Sequence, residues 1–262
     1  MNRIQTLIDK EWAEVFKNKM VLFTVALMPV LFVVILVVQL VIMRQVPSSE
    51  MNDAPAAVLA ACAAQGLSDT ECMQGYLVGS FMALFLIIPV MIPVTIAAYS
   101  IVGEKTTRSL EPLLATPTST TEIILGKGLA AVIPAIVATW VSFGLFLLTA
   151  RAFAVSERVF ALIADPMWLA GMLVVAPLLC VLSVTTAVVI SSRVNDPRAA
   201  EQISALLILP VMMLLFGRII GFITLNLTTM LLFGLGLLIV NMVMVWLAVK
   251  LFQREVILTR WK

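Results

Sequence analysis

Six long apolar runs constrain this chain more than any other feature of its sequence. About 20 consecutive apolar residues form a helix long enough to cross the hydrocarbon core of a bilayer. The runs are continuous, whereas the strands of a membrane β-barrel alternate apolar and polar residues with a period of two. The sequence therefore predicts an all-α membrane protein with one transmembrane domain over residues 1–262. The six predicted spans are approximately Met20–Met43, Leu77–Val102, Leu129–Ala150, Met167–Ile190, Ile203–Phe222 and Met230–Leu251.

The composition excludes a soluble enzyme or binding module. A soluble domain is about 45–50% apolar and about 25% charged, whereas this chain is 62% hydrophobic and 12% charged. Histidine is absent, which excludes a Ser-His-Asp or Cys-His nucleophile and a His-ligated metal. Three cysteines by themselves do not complete a structural zinc site, and a net charge of +2 does not indicate a nucleic-acid partner. We therefore expect no catalytic residue, no metal site and no bound nucleic acid.

The distribution of basic residues predicts how the six spans are oriented. Lys and Arg are enriched in cytoplasmic loops close to the membrane. Thirteen basic residues fall in the N-terminal segment, in the loops between spans 2 and 3 and between spans 4 and 5, and at the C-terminal end. The other side has four, namely Arg44, Arg151, Arg158 and Arg218. We therefore expect both termini in the cytoplasm.

Residues 1–19 precede the first span and are predicted to form an amphipathic helix in the cytoplasmic membrane interface. The segment is not a cleaved signal peptide, since the apolar run that follows it is too long. It serves either as a simple membrane anchor or as a docking helix that also touches a cytoplasmic partner. The apolar face consists of Ile4, Leu7, Ile8, Val15 and Phe16 with Trp12 beside them, and the other face of Asp9, Lys10, Glu11, Glu14 and Lys17.

The predicted outer loops are short except for residues 45–76, which contain Cys62 and Cys72. Because the predicted orientation places this loop outside the cytoplasm, where disulfides persist, we expect the two cysteines to be bonded and to rigidify the outer mouth. Two free thiols are the alternative. The loop between spans 3 and 4, residues 151–166, is rich in apolar residues and is predicted to contain a short interfacial helix.

Residues 103–128 form the longest predicted cytoplasmic loop and carry the most functional information. One short helix is predicted from roughly Glu104 to Leu114. A second helix begins at Ser119, because Ser-Thr-Thr-Glu is a capping box just before an apolar run, and it continues into the third span. Glu104 lies at the cytoplasmic end of the second span, where an ionised residue is ordinarily solvated.

Two stretches of the chain carry a family resemblance, which extends over its whole length. The signature loop of type-2 ABC exporter permeases is similar to the run Gly103-Glu104-Lys105, Ser109-Leu110-Glu111, Leu113-Leu114, Pro117, Glu122-Ile123 and Leu125-Gly126-Lys127. The tail of the same family resembles Leu251-Phe252-Gln253-Arg254-Glu255, Leu258 and Arg260-Trp261.

The resemblance implies that separate cytoplasmic ABC ATPase subunits, two per complex, bind ATP and magnesium and drive transport. The chain agrees in having no Walker-type phosphate loop. In the family, the first helix of the 103–128 loop is a coupling helix that sits in a groove of the ATPase. Apolar contact is expected from Leu110, Leu113 and Leu114, charged contact from Glu104, Arg108 and Glu111, and a second, smaller cytoplasmic contact from Asn195 and Asp196.

The resemblance also implies a twelve-span exporter made of two permease subunits, either a homodimer or a pair with a similar permease, in the plasma (inner) membrane of a prokaryote. The translocation path between them would include Pro210, Gly217 and Arg218, although Arg218 could instead reach the outer lipid headgroups. The apolar path favours a lipid, a hydrophobic peptide or a drug-like amphiphile as substrate. The alternative function is a secondary carrier or channel, which predicts ionisable residues deep in several spans.

Overall fold

The computed structural model describes residues 3–45, 62–64, 66–106, 120–191, 193–194, 196–220, 222 and 225–251, and all regular structure in these ranges is helical. Two 3₁₀ segments (Met82–Ile87 and Ala205–Leu207) and one π-helical segment (Gly171–Val175) join α-helices within longer helical stretches. The α-helices are α1 (Arg3–Lys17), α2 (Lys19–Met43), α3 (Asp69–Phe81), α4 (Ile88–Thr106), α5 (Thr120–Phe153), α6 (Glu157–Ile163), α7 (Pro166–Ala170), α8 (Ala176–Ser191), α9 (Pro197–Ser204), α10 (Ile208–Ile219) and α11 (Leu227–Leu251).

The six predicted membrane-crossing helices are confirmed by length and apolar character. Most of them are longer than the apolar runs alone suggested, because polar residues cap and extend their ends. They are numbered here as span 1 (Val21–Met43), span 2 (Asp69–Glu104), span 3 (Glu122–Phe153), span 4 (Glu157–Ser191), span 5 (Pro197–Arg218) and span 6 (Leu227–Lys250).

The last residues of the predicted outer loop are helical, because α3 and span 2 begin at Asp69. The physical reason is a capping box. The Ser68 hydroxyl accepts a hydrogen bond from the Glu71 backbone N–H (3.4 Å), and the Glu71 carboxylate accepts one from the Ser68 backbone N–H (2.9 Å). Such a cap satisfies backbone donors that the first helical turn leaves unpaired, so the helix starts in a polar sequence.

Span 2 is the central element of the bundle. In the most apolar 18-residue stretch of span 2, 83% is buried inside the chain. The same share is 18% for span 1 and 22% each for spans 5 and 6, which lie at the periphery. Spans 3 and 4 pack directly on α4. Phe85 of span 2 contacts two rings of span 3, with centroid distances of 5.7 Å to Phe143 and 5.5 Å to Phe146. Span 2 is therefore the span most enclosed by the others.

The end of the bundle opposite α1 carries the disulfide between Cys62 and Cys72, and we call it the disulfide end. Gly66 lies between the two cysteines with φ of +64°, a left-handed conformation that favours glycine, and its carbonyl accepts a hydrogen bond from Arg158 (3.1 Å). Arg158 belongs to α6, which confirms the short helix predicted within residues 151–166. The disulfide segment is thus tied to span 4.

Three of the prolines in the spans accompany the non-α segments. Pro89 and Pro177 come two residues after the 3₁₀ segment of span 2 and the π segment of span 4, and Pro210 comes three residues after the 3₁₀ segment of span 5. Proline has no N–H and clashes with the carbonyl four residues earlier. In all three spans that carbonyl lies inside the non-α segment, so the changed winding accommodates the proline.

Candidate functional site at the α1 end of the bundle

The N-terminal helix α1 packs against spans 1, 2 and 3 at one end of the bundle, which we call the α1 end. Leu7, Glu11 and Val15 recur every fourth residue and form its buried face. Leu7 contacts span 3 at Gly126, where an added Cβ would lie 2.9 Å from the Leu7 Cβ, so only glycine permits this approach. The Trp12 indole N–H donates a hydrogen bond to the Ala130 carbonyl of span 3 (3.0 Å). These contacts attach α1 to the helix that leaves the 103–128 loop.

Lys127 of α5 is the centre of a buried ion cluster that joins three helices. Its Nζ lies 2.6 Å from Glu11 Oε1, 2.8 Å from Glu104 Oε2 and 2.8 Å from Ser100 Oγ. The Ser100 hydroxyl in turn donates to Glu11 Oε2 at 2.5 Å. Glu11, Glu104 and Lys127 are only 2%, 5% and 6% exposed. Each carboxylate is therefore matched by a close cation, as burial of charge requires.

Lys10 completes the cluster from its solvent side. Its Nζ lies 2.5 Å from Glu104 Oε1, with Glu14 and Glu11 at 3.5 and 3.7 Å. The buried pair of carboxylates, Glu11 and Glu104, thus faces two ammonium groups, Lys10 and Lys127. We refer to these four residues and Ser100 as the ion cluster.

The ion cluster shifts the acidity of its two α1 members in opposite directions. Burial alone would raise the pKa of Glu11, but the charge of Lys127 and hydrogen bonds from Lys127 and Ser100 bring that pKa below its ordinary value. For Lys10, burial works to lower the pKa, and the hydrogen bond and charge of Glu104 raise it above its ordinary value. Both shifts favour the charged forms.

The assignment of Glu11 to the face of α1 opposite the apolar residues is wrong, because Glu11 shares the buried face with Leu7 and Val15. Glu11 is buried because Lys127 and Ser100, on two other helices, replace the water that would otherwise solvate its carboxylate. Phe16, assigned to the apolar face, is 46% exposed within the chain. Glu104 is likewise buried instead of solvated. The sequence signal that could have indicated this burial is the position of Lys127, a charged residue in a segment that leads into an apolar helix.

The ion cluster holds both flanks of the segment predicted to contact an ATPase. Glu104 lies just before residues 107–119 and Lys127 soon after them, and α5 begins at Thr120 close to its predicted start. Asp196 caps α9, since its carboxylate accepts a hydrogen bond from the Arg198 N–H (3.0 Å). The other predicted contact residues, Arg108, Leu110, Glu111, Leu113, Leu114 and Asn195, lie outside the described residues.

The residues predicted for a translocation path lie along span 5. Pro210 is exposed within the chain, while Gly217 and Arg218 are half-buried.

Sequence reasoning missed Glu201 at the α1 end of the same span. Its Oε1 accepts a hydrogen bond from the Thr95 hydroxyl of span 2 (2.5 Å), so a carboxylate joins the central span to a peripheral one. Within the described ranges, no group of three His, Cys, Asp or Glu side chains could hold a metal ion.

Comparison with known proteins gives one family match. The model of a family described as "ABC-2 family transporter protein" matches residues 5–236, which is most of the chain. No curated protein matches the sequence. The matched range includes α1 from Gln5 onward, the ion cluster, the disulfide end and all of span 5.

Proposed function

We propose a transport function from the finding that the chain belongs to the ABC-2 family of transporter proteins, as a membrane-spanning permease. The chain moves a hydrophobic or amphiphilic substrate out of the cytoplasm, with energy from separate ATPase subunits. Lipids, hydrophobic peptides and drug-like amphiphiles are the proposed substrate classes. The proposed location is the inner membrane of a prokaryote, with the α1 end and both termini in the cytoplasm.

The ion cluster is the observation that carries the proposed coupling. It connects α1, the end of span 2 and the start of span 3 through buried ion pairs, and residues 107–119 lie between Glu104 and Lys127 in the sequence. A buried charge left without its partner costs about 3–5 kcal/mol, so we expect the three helices to move together and keep their charges paired. Movement would pass directly into span 2, which contacts α1 and spans 1, 3, 4 and 5.

The proposed ATPase contact uses the loop residues that resemble a coupling helix. Leu110, Leu113 and Leu114 would fill an apolar groove, with Arg108 and Glu111 beside them, while Glu104 anchors the loop from within the ion cluster. Asn195 and Asp196 would form the smaller contact. ATP and magnesium would bind to the two ATPase subunits. Closure of those subunits would then move two permeases against each other around a path that includes Pro210, Gly217 and Arg218.

The test replaces the leucine pair in the loop. Truncating a well-buried leucine to alanine costs about 2–5 kcal/mol, and about 1.4 kcal/mol is already tenfold in affinity. The double variant Leu113→Ala, Leu114→Ala should therefore weaken ATPase binding at least about tenfold, or leave ATP hydrolysis that does not respond to substrate. Binding of the ATPase to the purified permease and substrate-stimulated hydrolysis are the two measurements.

The matched control is another adjacent leucine pair, Leu231 and Leu232 of α11, which are 48% and 61% exposed on the apolar periphery. Its double alanine variant should bind the ATPase normally.

Glu104→Gln should assemble but transport poorly, since it removes a charge from the anchor of the loop. Normal binding and stimulated hydrolysis in the Leu113/Leu114 variant would refute the coupling role. Transport by the permease alone, driven by an ion gradient, would establish the secondary carrier instead.

A further inference from the structure

Arg218 is held between three spans near the disulfide end. Its guanidinium carbon lies 5.8 Å from the centroid of the Trp168 ring in span 4. Its backbone carbonyl accepts a hydrogen bond from the Tyr76 hydroxyl of span 2 (3.1 Å). The side chain passes over Gly79, where an added Cβ would lie 2.8 Å from Nη2. Both span 2 and span 4 therefore shape the position of this cation.

The charge of Arg218 has no close counterion among the described residues. Asp165 acts on it electrostatically from beyond ion-pair distance, and the carboxylate of Asp165 accepts a hydrogen bond from the Met167 N–H (2.7 Å). Arg151, another arginine at this end, differs: it lies 3.5 Å from the Glu157 carboxylate and is well exposed. A half-buried guanidinium that lacks such a partner presents several N–H donors to a ligand.

We infer that Arg218, positioned by Gly79 and Trp168, binds the single anionic group of an amphiphile, a phosphate or a carboxylate. Guanidinium groups bind both anions through two parallel N–H···O bonds. The apolar part of the ligand would lie along the face of span 5 that carries Arg218, where Leu214, one helical turn away, is half-buried. If the amphiphile is the transported substrate, the inference deepens the proposed function and rests on it. The headgroup of a resident lipid is the other source of the same anionic group.

Gly79 provides a variant that moves the charge without removing it. A methyl group at Gly79 collides only with the far end of a flexible arginine side chain. Gly79→Ala should therefore fold normally while displacing the guanidinium. Arg218→Gln removes the charge, and Arg151→Gln removes a charge at the same end of the bundle outside the proposed site.

The experiment uses the purified full-length permease, without ATPase, in phosphatidylcholine nanodiscs. Brominated phosphatidic acid or brominated phosphatidylcholine is added, and quenching of tryptophan fluorescence is measured. Because the chain has five tryptophans, the part of the quenching that Trp168→Phe removes is the part that reports approach to Trp168. In the wild type and in Arg151→Gln, phosphatidic acid should quench at a mole fraction about tenfold lower than phosphatidylcholine does. That preference should disappear in Arg218→Gln and weaken in Gly79→Ala. A second arm adds dodecyl phosphate or dodecyltrimethylammonium to compete with the brominated phosphatidic acid.

Relief of quenching by dodecyl phosphate but not by dodecyltrimethylammonium supports a site that an amphiphile enters from solution. Quenching by phosphatidic acid that neither compound relieves supports a resident lipid headgroup at the same arginine. Equal quenching by both brominated lipids in the wild type, or an unchanged preference in folded Gly79→Ala and Arg218→Gln, overturns the inference. Because no ATPase is present, that failure would leave the coupling proposal untouched.

Discussion

Lys127 is the residue on which the α1 end depends most, because it faces both buried carboxylates. Replacing it with methionine leaves Glu11 and Glu104 buried with only Lys10 nearby. Removing one partner of a buried ion pair costs about 3–5 kcal/mol. We expect Lys127→Met to lower the thermal unfolding midpoint of the detergent-solubilised permease clearly. Lys17→Met, on the exposed face of α1, is the control and should have little effect; equal midpoints for the two variants would contradict the role of the ion cluster.

Glu11 makes the stability of the α1 end dependent on pH. Its pKa is lower in the folded protein than its ordinary value of 4.5, owing to Lys127 and Ser100. The stabilisation is therefore complete above about pH 4.5 and is lost as the pH falls through the lowered pKa. The midpoint difference between wild type and Glu11→Gln should be constant from about pH 7 to 5 and shrink below about pH 4.5. A difference that persists unchanged to about pH 3 would show that the carboxylate charge contributes nothing.

At the scale of elements, the prolines show why a single residue does not specify local winding. Pro29 and Pro134 lie within continuous α-helices, whereas Pro89, Pro177 and Pro210 follow non-α segments. All five remove the same backbone donor. The lost donor is the same at each position, so its loss does not by itself decide whether the helix stays α or changes its winding. Sequence could predict a disturbance at each proline but not the form it takes.

The disulfide element leads to a labelling prediction. Cys62 and Cys72 are bonded in the structure, and the proposed orientation places them outside the cytoplasm. A membrane-impermeant thiol reagent added to intact cells should therefore label neither cysteine until a reductant is present. Cys72→Ser, which frees Cys62, should label without reductant and serves as the positive control. Labelling of the wild type without reductant, at either cysteine, would exclude a stable bond in the cell.

For the whole molecule, the uneven burial of the spans bears on assembly. Span 2 is enclosed by its own chain, while span 5 presents Leu209, Met213 and Phe216 outward. We expect a complex of two permeases and two ATPase subunits, with the permeases facing each other around the transport path. The mass of the solubilised complex with bound ATPase tests this, and co-expressed copies with different tags distinguish a homodimer from a pair of different permeases. A monomeric permease that transports would contradict it.

Sequence by itself determined the fold class and the number of spans, and it indicated the cysteine pair that the structure shows bonded. A run of about 20 apolar residues has few ways to avoid water other than a membrane helix, so composition over a short window suffices. Tertiary structure decided which charges meet. Lys10, Glu11, Ser100, Glu104 and Lys127 come from three helices far apart in the chain, and Arg218 finds Gly79 and Trp168 in the same way. Whether a charged side chain is solvated or buried depends on partners brought close only by packing, because burial is favourable only once those partners replace water.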